Sequence, residues 1–217
     1  MTNWTDERSA VVETMRRLDM RGLNRGTSGN VAVRVEGGML VSPSGIVPER
    51  LTADKVVFVS NDGLWDTTGA NPSSEWRMHL GILLRRPEAQ AVVHCHSRHA
   101  TILACAGREI PALHYMVAVA GGSHIPLAPY ATFGTPELAE AIADTLEGFR
   151  ACLMANHGQI TIGRTLDEAL AIADEVEEQA AVYCGTLAIG GPVLLGDDEM
   201  KHIRIKFAQY GQKSAPR

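Results

Sequence analysis

The stretch AVVHCHSRHA, residues 91–100, ends an apolar run with two imidazoles, His94 and His96. Along a β-strand, residues i and i+2 project to one face, so the two rings point together and can reach one ion. Cys95 between them points to the other face. A divalent cation needs at least one more ligand, and NHG offers His157 at a second strand end, in an exposed turn that leaves its ring free to face a cleft. Three imidazoles with an open fourth position form a catalytic zinc arrangement rather than a closed structural one. Glu75, at the start of the helix expected in PSSEWRMHLGILLRRP, is the carboxylate candidate, and His79 one turn later is the alternative ligand in its place. Alone, H-x-H fits two half-buried histidines as well as it fits a metal. The chain has eight histidines, and His99, His114, His124 and His202 read as structural or surface residues.

A second set of residues could hold an anion. NRGTSGN (24–30) and SPSG (42–45) are Gly-containing turns at strand ends, and PSSE (72–75) reads as a helix N-terminus. Turns of small residues bring backbone N–H groups close to a ligand, and a helix N-terminus favours negative charge. Asn30, Ser44, Ser73 and Ser74 add neutral donors, so that together the segments could hold a phosphate without a lysine. Taken singly, each has a plainer reading as a turn former, with Ser74 as a helix cap.

These residues need a frame. Val11, Val12, Met15 and Leu18 recur at helical spacing, which predicts a first helix over 6–21 stopped by Gly22. NVAVRVEGGMLVSPSG predicts a hairpin turning at Gly37-Gly38, and VVFVSNDGLWD predicts a second around Asn61-Asp62-Gly63. Helices are expected over 74–86, through SRHATILACAG, through GTPELAEAIADTLEG, from a Thr165 cap onward as the longest, and over about 197–210. AVVHCH is a short strand, and ACLMANHGQITIG reads as two strands broken at His157-Gly158. The pattern predicts a mixed, mainly antiparallel sheet covered by helices, in one domain over 1–217 with a mobile segment near 207–217. There is neither a Rossmann fingerprint nor a P-loop.

Composition narrows the function classes. The 217 residues are 45% hydrophobic and 21% charged, with a net charge of -5, as in an ordinary globular protein. A mildly acidic chain without a Lys/Arg block is a poor nucleic-acid binder. No apolar run reaches the roughly 20 residues that cross a bilayer. The N-terminus lacks the basic-then-apolar order of a signal peptide. Cys95, Cys105, Cys152 and Cys184 show no C-x-x-C spacing and sit in apolar segments, which fits reduced, buried thiols in a cytoplasmic protein.

Taken together, GLNRGTSGNVAVR, SPSG, PSSEWRMH, AVVHCHSRH, IPALHYM, AGGSHIPLAPYATFGT, NHG and FAQYG resemble the class II aldolase/adducin-like family, most closely its L-fuculose-1-phosphate aldolase branch. The segments stand in family order over nearly the whole chain. The resemblance implies a three-layer α/β/α domain and a homotetramer with active sites between subunits. Glu75, His94, His96 and His157 match the family's positions for Zn2+, with Mn2+ or Co2+ as other divalent choices. Gly29, Asn30, Ser44, Gly45, Ser73 and Ser74 match its phosphate-binding positions, with Thr27 in the same loop. The family more often has threonine where Ser44 stands; the hydroxyl is kept. Tyr115 matches a tyrosine offered across a subunit boundary, Tyr210 one on a mobile C-terminal segment, and Phe133 an aromatic near the aldehyde end of the pocket.

The activity implied is cleavage of a ketose 1-phosphate to dihydroxyacetone phosphate and an aldehyde. The substrate would be L-fuculose 1-phosphate, or 5-deoxy- or 5-methylthio-ribulose 1-phosphate in salvage of S-adenosylmethionine by-products such as methylthioadenosine. Breaking the C3–C4 bond leaves a carbanion beside a ketone, which a chelated Lewis-acid cation can stabilise. Glu75 would move protons on the dihydroxyacetone phosphate half, and Tyr115 would exchange one with the C4 oxygen. Two rivals follow from the same resemblance. A pentulose-phosphate 4-epimerase would rejoin the aldehyde after rotating it. A non-catalytic adducin-like scaffold would have no reason to keep the three histidines and Glu75 together.

Overall fold

The computed structural model describes residues 4–209. Its centre is a seven-stranded sheet in the order β3-β2-β1-β4-β7-β6-β5. The strands are β1 (Asn30–Val35), β2 (Gly38–Val41), β3 (Val57–Ser60), β4 (Ala91–Cys95), β5 (Leu127–Ala128), β6 (Ala151–Met154) and β7 (Gly158–Gly163). Every neighbouring pair is antiparallel except β5 with β6, which is parallel. The sheet is therefore mixed and mainly antiparallel, as the hairpin signals predict.

Alternation along the central strands sorts side chains into two layers. On one face, Val92, Ile160 and Ile162 pack with Met78 and Ile82 of α2 (Trp76–Arg85) and with Leu138 and Ile142 of α4 (Pro136–Thr145). On the other, Val31, Ala91 and Val93 pack with Val11 and Leu18 of α1 (Thr5–Met20) and Leu170 of α5 (Leu166–Ala188). Further along that second face, Leu103 of α3 (Arg98–Cys105), Leu153, Val176 and Met200 of α6 (Asp197–Gln209) form a third cluster. The result is helix, sheet, helix: three layers in which the apolar stripes of α1 to α5 are buried against the sheet and that of α6 packs beside the 115–120 segment.

The helix ends follow local chemistry. Gly22 takes φ 70° after α1, and the Leu23 N–H donates to Leu18 O across it. That closure suits glycine because a side chain strains a positive φ. Thr165 caps α5 by accepting from the Glu168 N–H at 3.1 Å, and Pro136 opens α4.

Several sequence expectations are corrected. The first hairpin turns at Glu36-Gly37, because Gly38 already pairs with Val35. The return strand expected after Asn61-Asp62-Gly63 does not form; the Ser60 N–H donates to Leu64 O, and the chain then runs to α2 through turns. Beyond Trp65 come Asp, Thr, Thr, Gly, Ala, Asn and Pro, with no alternation to bury, while Trp65 packs edge-on against Trp76. α2 begins at Trp76, not at residue 74, so Ser74 is not its cap; Glu75 occupies that position. Four short elements among the described residues had no sequence signal: β5 and the 3-10 helices Pro48–Arg50, Ala53–Lys55 and Tyr115–Ala120. Tyr210 lies outside the described residues.

Candidate metal centre and anion cleft

The central strands deliver the candidate ligands to one edge of the sheet. β4 runs antiparallel to both β1 and β7, so its end meets their beginnings. Asn30 pairs with His94, and His94 pairs in turn with Ile160. His96 follows just after β4, its N–H donating to Asn24 Oδ1 at 3.1 Å. His157 sits in the turn between β6 and β7, behind Asn156 in the left-handed region at φ 56°. Asparagine tolerates that conformation better than most side chains. Gly158 completes the turn, because a Cβ there would lie 2.5 Å from Cys95 O and 3.2 Å from the His96 ring.

The three rings face one point. His94, His96 and His157 have centroids 4.8–4.9 Å apart, with planes at 68°, 77° and 85° to one another. Their ligand atoms all lie within 4.8 Å of one another. His94 Nδ1 donates to Gln159 O at 2.8 Å, so its Nε2 carries a lone pair toward the cluster. That Nε2 stands 3.0 Å from His96 Nε2, a distance at which two lone pairs require a shared proton or a cation.

Glu75 closes the group. It is buried, with Oε2 accepting from Asn30 Nδ2 at 3.0 Å and lying 3.3 Å from His94 Nε2. Oε1 lies 3.3 Å from His157 Nε2 yet has no hydrogen bond, although it is fully buried. A buried carboxylate oxygen without a partner is costly, and a cation among the three rings would satisfy it. The donor set is three imidazole nitrogens and a carboxylate, which is chemistry that suits zinc and its neighbours. The residues present therefore fit a divalent cation.

The electrostatics favour the metal-binding form for Glu75 and for two of the three rings. Burial would raise the Glu75 carboxyl, but His94, then His157 and Asn30, outweigh it and hold the group well below the usual carboxylate range. Burial, with the charge on His94, brings His96 down to about 3 and His157 to about 4. Both rings are therefore neutral near pH 7, as metal ligands must be. His94 is the exception: Glu75 outweighs its burial and raises it, so a cation would have to displace a proton from this ring. The burial of Cys95 pushes its thiol up to about 12, and it packs in the opposite layer, away from the histidines.

The phosphate-loop candidates line one cleft of about 340 Å³ that opens onto the cluster. Thr27, Gly29 and Asn30 come from the first turn, Ser44 and Gly45 from the second, and Ser73, Ser74 and Glu75 from the third; His96, His157 and Phe133 complete the wall. The turns are stitched together. Pro43 bridges Pro72, the Ser73 N–H donates to Ser42 O at 3.0 Å, and the Ser44 N–H donates to Asn71 O at 3.0 Å. Gly29 is held at φ 72°, where a Cβ would strike the Asn24 side chain at 2.2 Å. Further lining residues, Tyr130 and Asn156 among them, escape sequence reasoning. The signals for these two were an aromatic three positions before Phe133 in a loop, and an asparagine ahead of His157-Gly158.

Two candidates stand elsewhere. Tyr115 is half-exposed on the 3-10 helix, stacked at 6.3 Å on Phe207, and lines a separate groove with Leu113 and Ile203. His79 is not one of the converging rings. It is wholly buried, and its Nε2 meets Asn30 Oδ1. Burial, helped by His94, keeps it neutral, at about 3.

A family model described as Class II Aldolase and Adducin N-terminal domain matches residues 9–184. The 5-methylthioribulose-1-phosphate/5-deoxyribulose-1-phosphate aldolase of Rhodospirillum rubrum is 46% identical over 207 residues, covering 95% of this chain and 93% of that protein. The L-fuculose phosphate aldolase of Escherichia coli K12 is 46% identical over 202 residues, covering 93% of this chain and 94% of its own. A solved structure of an L-fuculose 1-phosphate aldolase superposes with a TM-score of 0.91 at 38% identity, over 94% of this chain and 97% of that one. Aligned along nearly its whole length with enzymes of this kind, the chain belongs to the class II aldolase and adducin family, on its aldolase side.

Proposed function

We propose that the protein is a zinc-dependent aldolase that cleaves a ketose 1-phosphate, L-fuculose 1-phosphate or 5-deoxy- or 5-methylthio-ribulose 1-phosphate, to dihydroxyacetone phosphate and an aldehyde. The observation that carries this reading is the convergence of three imidazoles and an unsatisfied Glu75 oxygen at the floor of a cleft walled by three small-residue turns. The names of the relatives support the substrate class. Both substrate types share the dihydroxyacetone phosphate half, so these turns would receive either one.

His94, His96, His157 and Glu75 would hold the cation, which supplies a Lewis acid for the charge left on carbon when C3–C4 parts. The turn residues Thr27, Gly29, Asn30, Ser44, Gly45, Ser73 and Ser74 would bind the phosphate. Remote binding of this kind holds the reacting carbons in place. Glu75 would carry the proton that C3 gains as dihydroxyacetone phosphate forms, and Tyr115 would take the proton that the C4 hydroxyl loses as it becomes the aldehyde. Phe133, exposed at the rim of the cleft, would face the aldehyde end. Tyr115 lines a groove separate from the cleft of its own chain, which supports a homotetramer whose sites draw Tyr115 and Tyr210 from a neighbouring subunit. The setting is the cytoplasm; no described helix is long and apolar enough to cross a membrane.

The test is incubation with a panel of ketose 1-phosphates and identification of the products. Free dihydroxyacetone phosphate with lactaldehyde, acetaldehyde or methylthioacetaldehyde is expected. An epimeric ketose phosphate instead would make the protein a 4-epimerase. Glu75→Gln is expected to bind dihydroxyacetone phosphate yet lose exchange of its carbon-bound proton, and normal exchange would remove Glu75 from its role.

A further inference from the structure

The polar link His79–Asn30–Glu75 runs through the core beneath the cleft. Glu75 accepts from Asn30 Nδ2 at 3.0 Å, and a carboxylate can only accept. Asn30 Oδ1 must then face His79 Nε2, which must carry that ring's proton. The other tautomer would set two lone pairs against each other and favour a flipped amide, turning Asn30 Oδ1 onto the Glu75 carboxylate. One proton on a wholly buried ring thus selects between a donor and a like-charged acceptor beside Glu75. The layer around His79 is otherwise apolar, with Met78, Leu80, Ile82 and Leu83 as its helix neighbours. A leucine would fill that layer without leaving a buried Nδ1 unpartnered, as His79 does. The imidazole is therefore poorly explained by packing.

We infer that His79 is a positioning residue for Glu75: its Nε2–H fixes the Asn30 amide so that Nδ2 holds the carboxylate beside the three imidazoles. Both ends of the Asn30 side chain are engaged in this link, and one of the two Nδ2 hydrogens is left for an anion in the cleft. The inference deepens, and rests on, the metal-centre reading above.

The experiment is a titration of the metal-free full chain with Co2+ alone, read by affinity and by the visible absorption of the bound ion, with inorganic phosphate binding measured in parallel. Partners behind a ligand typically change metal affinity 10–100-fold, so His79→Leu is expected to bind Co2+ about tenfold more weakly. Its spectrum should shift toward that of Glu75→Gln, and its phosphate affinity should be unchanged. His79→Gln, whose amide N–H₂ can still donate to Asn30, should recover most of the affinity and the wild-type spectrum. In an Asn30→Ala background the His79→Leu effect should vanish, since the residues act in series. Wild-type Co2+ affinity and spectrum in folded His79→Leu, or equal losses in the Gln and Leu variants, overturn the inference. Should His79→Leu not fold, Asn30→Ala alone must show the weaker affinity and the Glu75→Gln signature, and an unchanged titration overturns it. A wild-type chain that binds no Co2+ overturns the metal reading itself.

Discussion

Two histidine–glutamate contacts begin five residues apart on the chain, and the tighter one is not the candidate site. His99 Nδ1 lies 2.8 Å from Glu177 Oε1, whereas His94 Nε2 lies 3.3 Å from Glu75 Oε2. Glu177 reaches from α5 to the first turn of α3, where its carboxylate also accepts from the His99 N–H at 2.9 Å and the Ala100 N–H at 3.0 Å. Ser97 makes no cap bond there, so Glu177 satisfies donors that a helix start leaves orphaned. That contact is saturated. Glu75, by contrast, keeps an oxygen without a hydrogen bond, beside two imidazole nitrogens that confront each other at 3.0 Å. Proximity of histidine to glutamate therefore does not mark a metal centre. An unmet demand for positive charge at a point of convergence does.

The comparison can be broken, most sharply at its metal side. His96→Ala is expected to lower Zn2+ affinity by more than about 100-fold, since partners behind a ligand alone account for 10–100-fold, and to abolish aldol cleavage. Competition titration and release of dihydroxyacetone phosphate measure the two losses, and cleavage by metal-stripped protein would sink the assignment. Next in size is a thermal shift. A cation at about 100 times its Kd should stabilise the wild type by about 2.7 kcal/mol, or roughly 5–10 °C in Tm for a chain of this size. His96→Ala should show no shift with the same cation.

Glu177→Gln tests the structural side. Loss of charged hydrogen bonds at the start of α3 should destabilise by about 1.5 kcal/mol, lowering Tm by roughly 3–6 °C, while the Zn2+-induced shift stays at its wild-type size. A Glu177 variant as blind to Zn2+ as His96→Ala would erase the distinction between the two pairs. The smallest effect is expected at the thiols. Against the expectation that all four thiols are buried, Cys105 is exposed at the end of α3 and Cys184 partly so, whereas Cys95 and Cys152 are buried and pushed up by that burial. Iodoacetamide should label Cys105 in the native protein and reach Cys95 and Cys152 only after unfolding, with Zn2+ leaving the Cys105 rate unchanged. Protection of Cys105 by Zn2+, seen by mass spectrometry, would bring that thiol to the metal centre and contradict the layer assignment.

The residues explain why some of this was legible in one dimension and some not. Periodicity reports faces and lengths, so β4, the Thr165 start of α5 and the Pro136 start of α4 follow from local pattern. It does not report partners. The segment after β3 looked like a hairpin because Asn-Asp-Gly is a turn signal, yet a turn makes a hairpin only if an alternating strand follows, and none does. Ser74 looked like a cap because serine is a common one; the chain instead gives that position to Glu75, with Ser73 Oγ accepting from the Glu75 N–H at 3.2 Å. β5, two residues long, is held by its parallel neighbour β6 and has no pattern of its own to read.

By itself, the sequence put His94 and His96 on one side of the chain, because the two-residue repeat of a strand is set by backbone geometry and not by surroundings, although β4 ends one residue before His96. It determined equally that Cys95 faces the opposite layer. Only the tertiary structure decided which groups meet those rings. Glu75 reaches Asn30 across 45 residues, and His94 reaches Gln159 across 65. Contacts of that span come from strand order and helix packing, which no local window of residue types contains. The chemistry of each ligand was local; their convergence was a property of the fold.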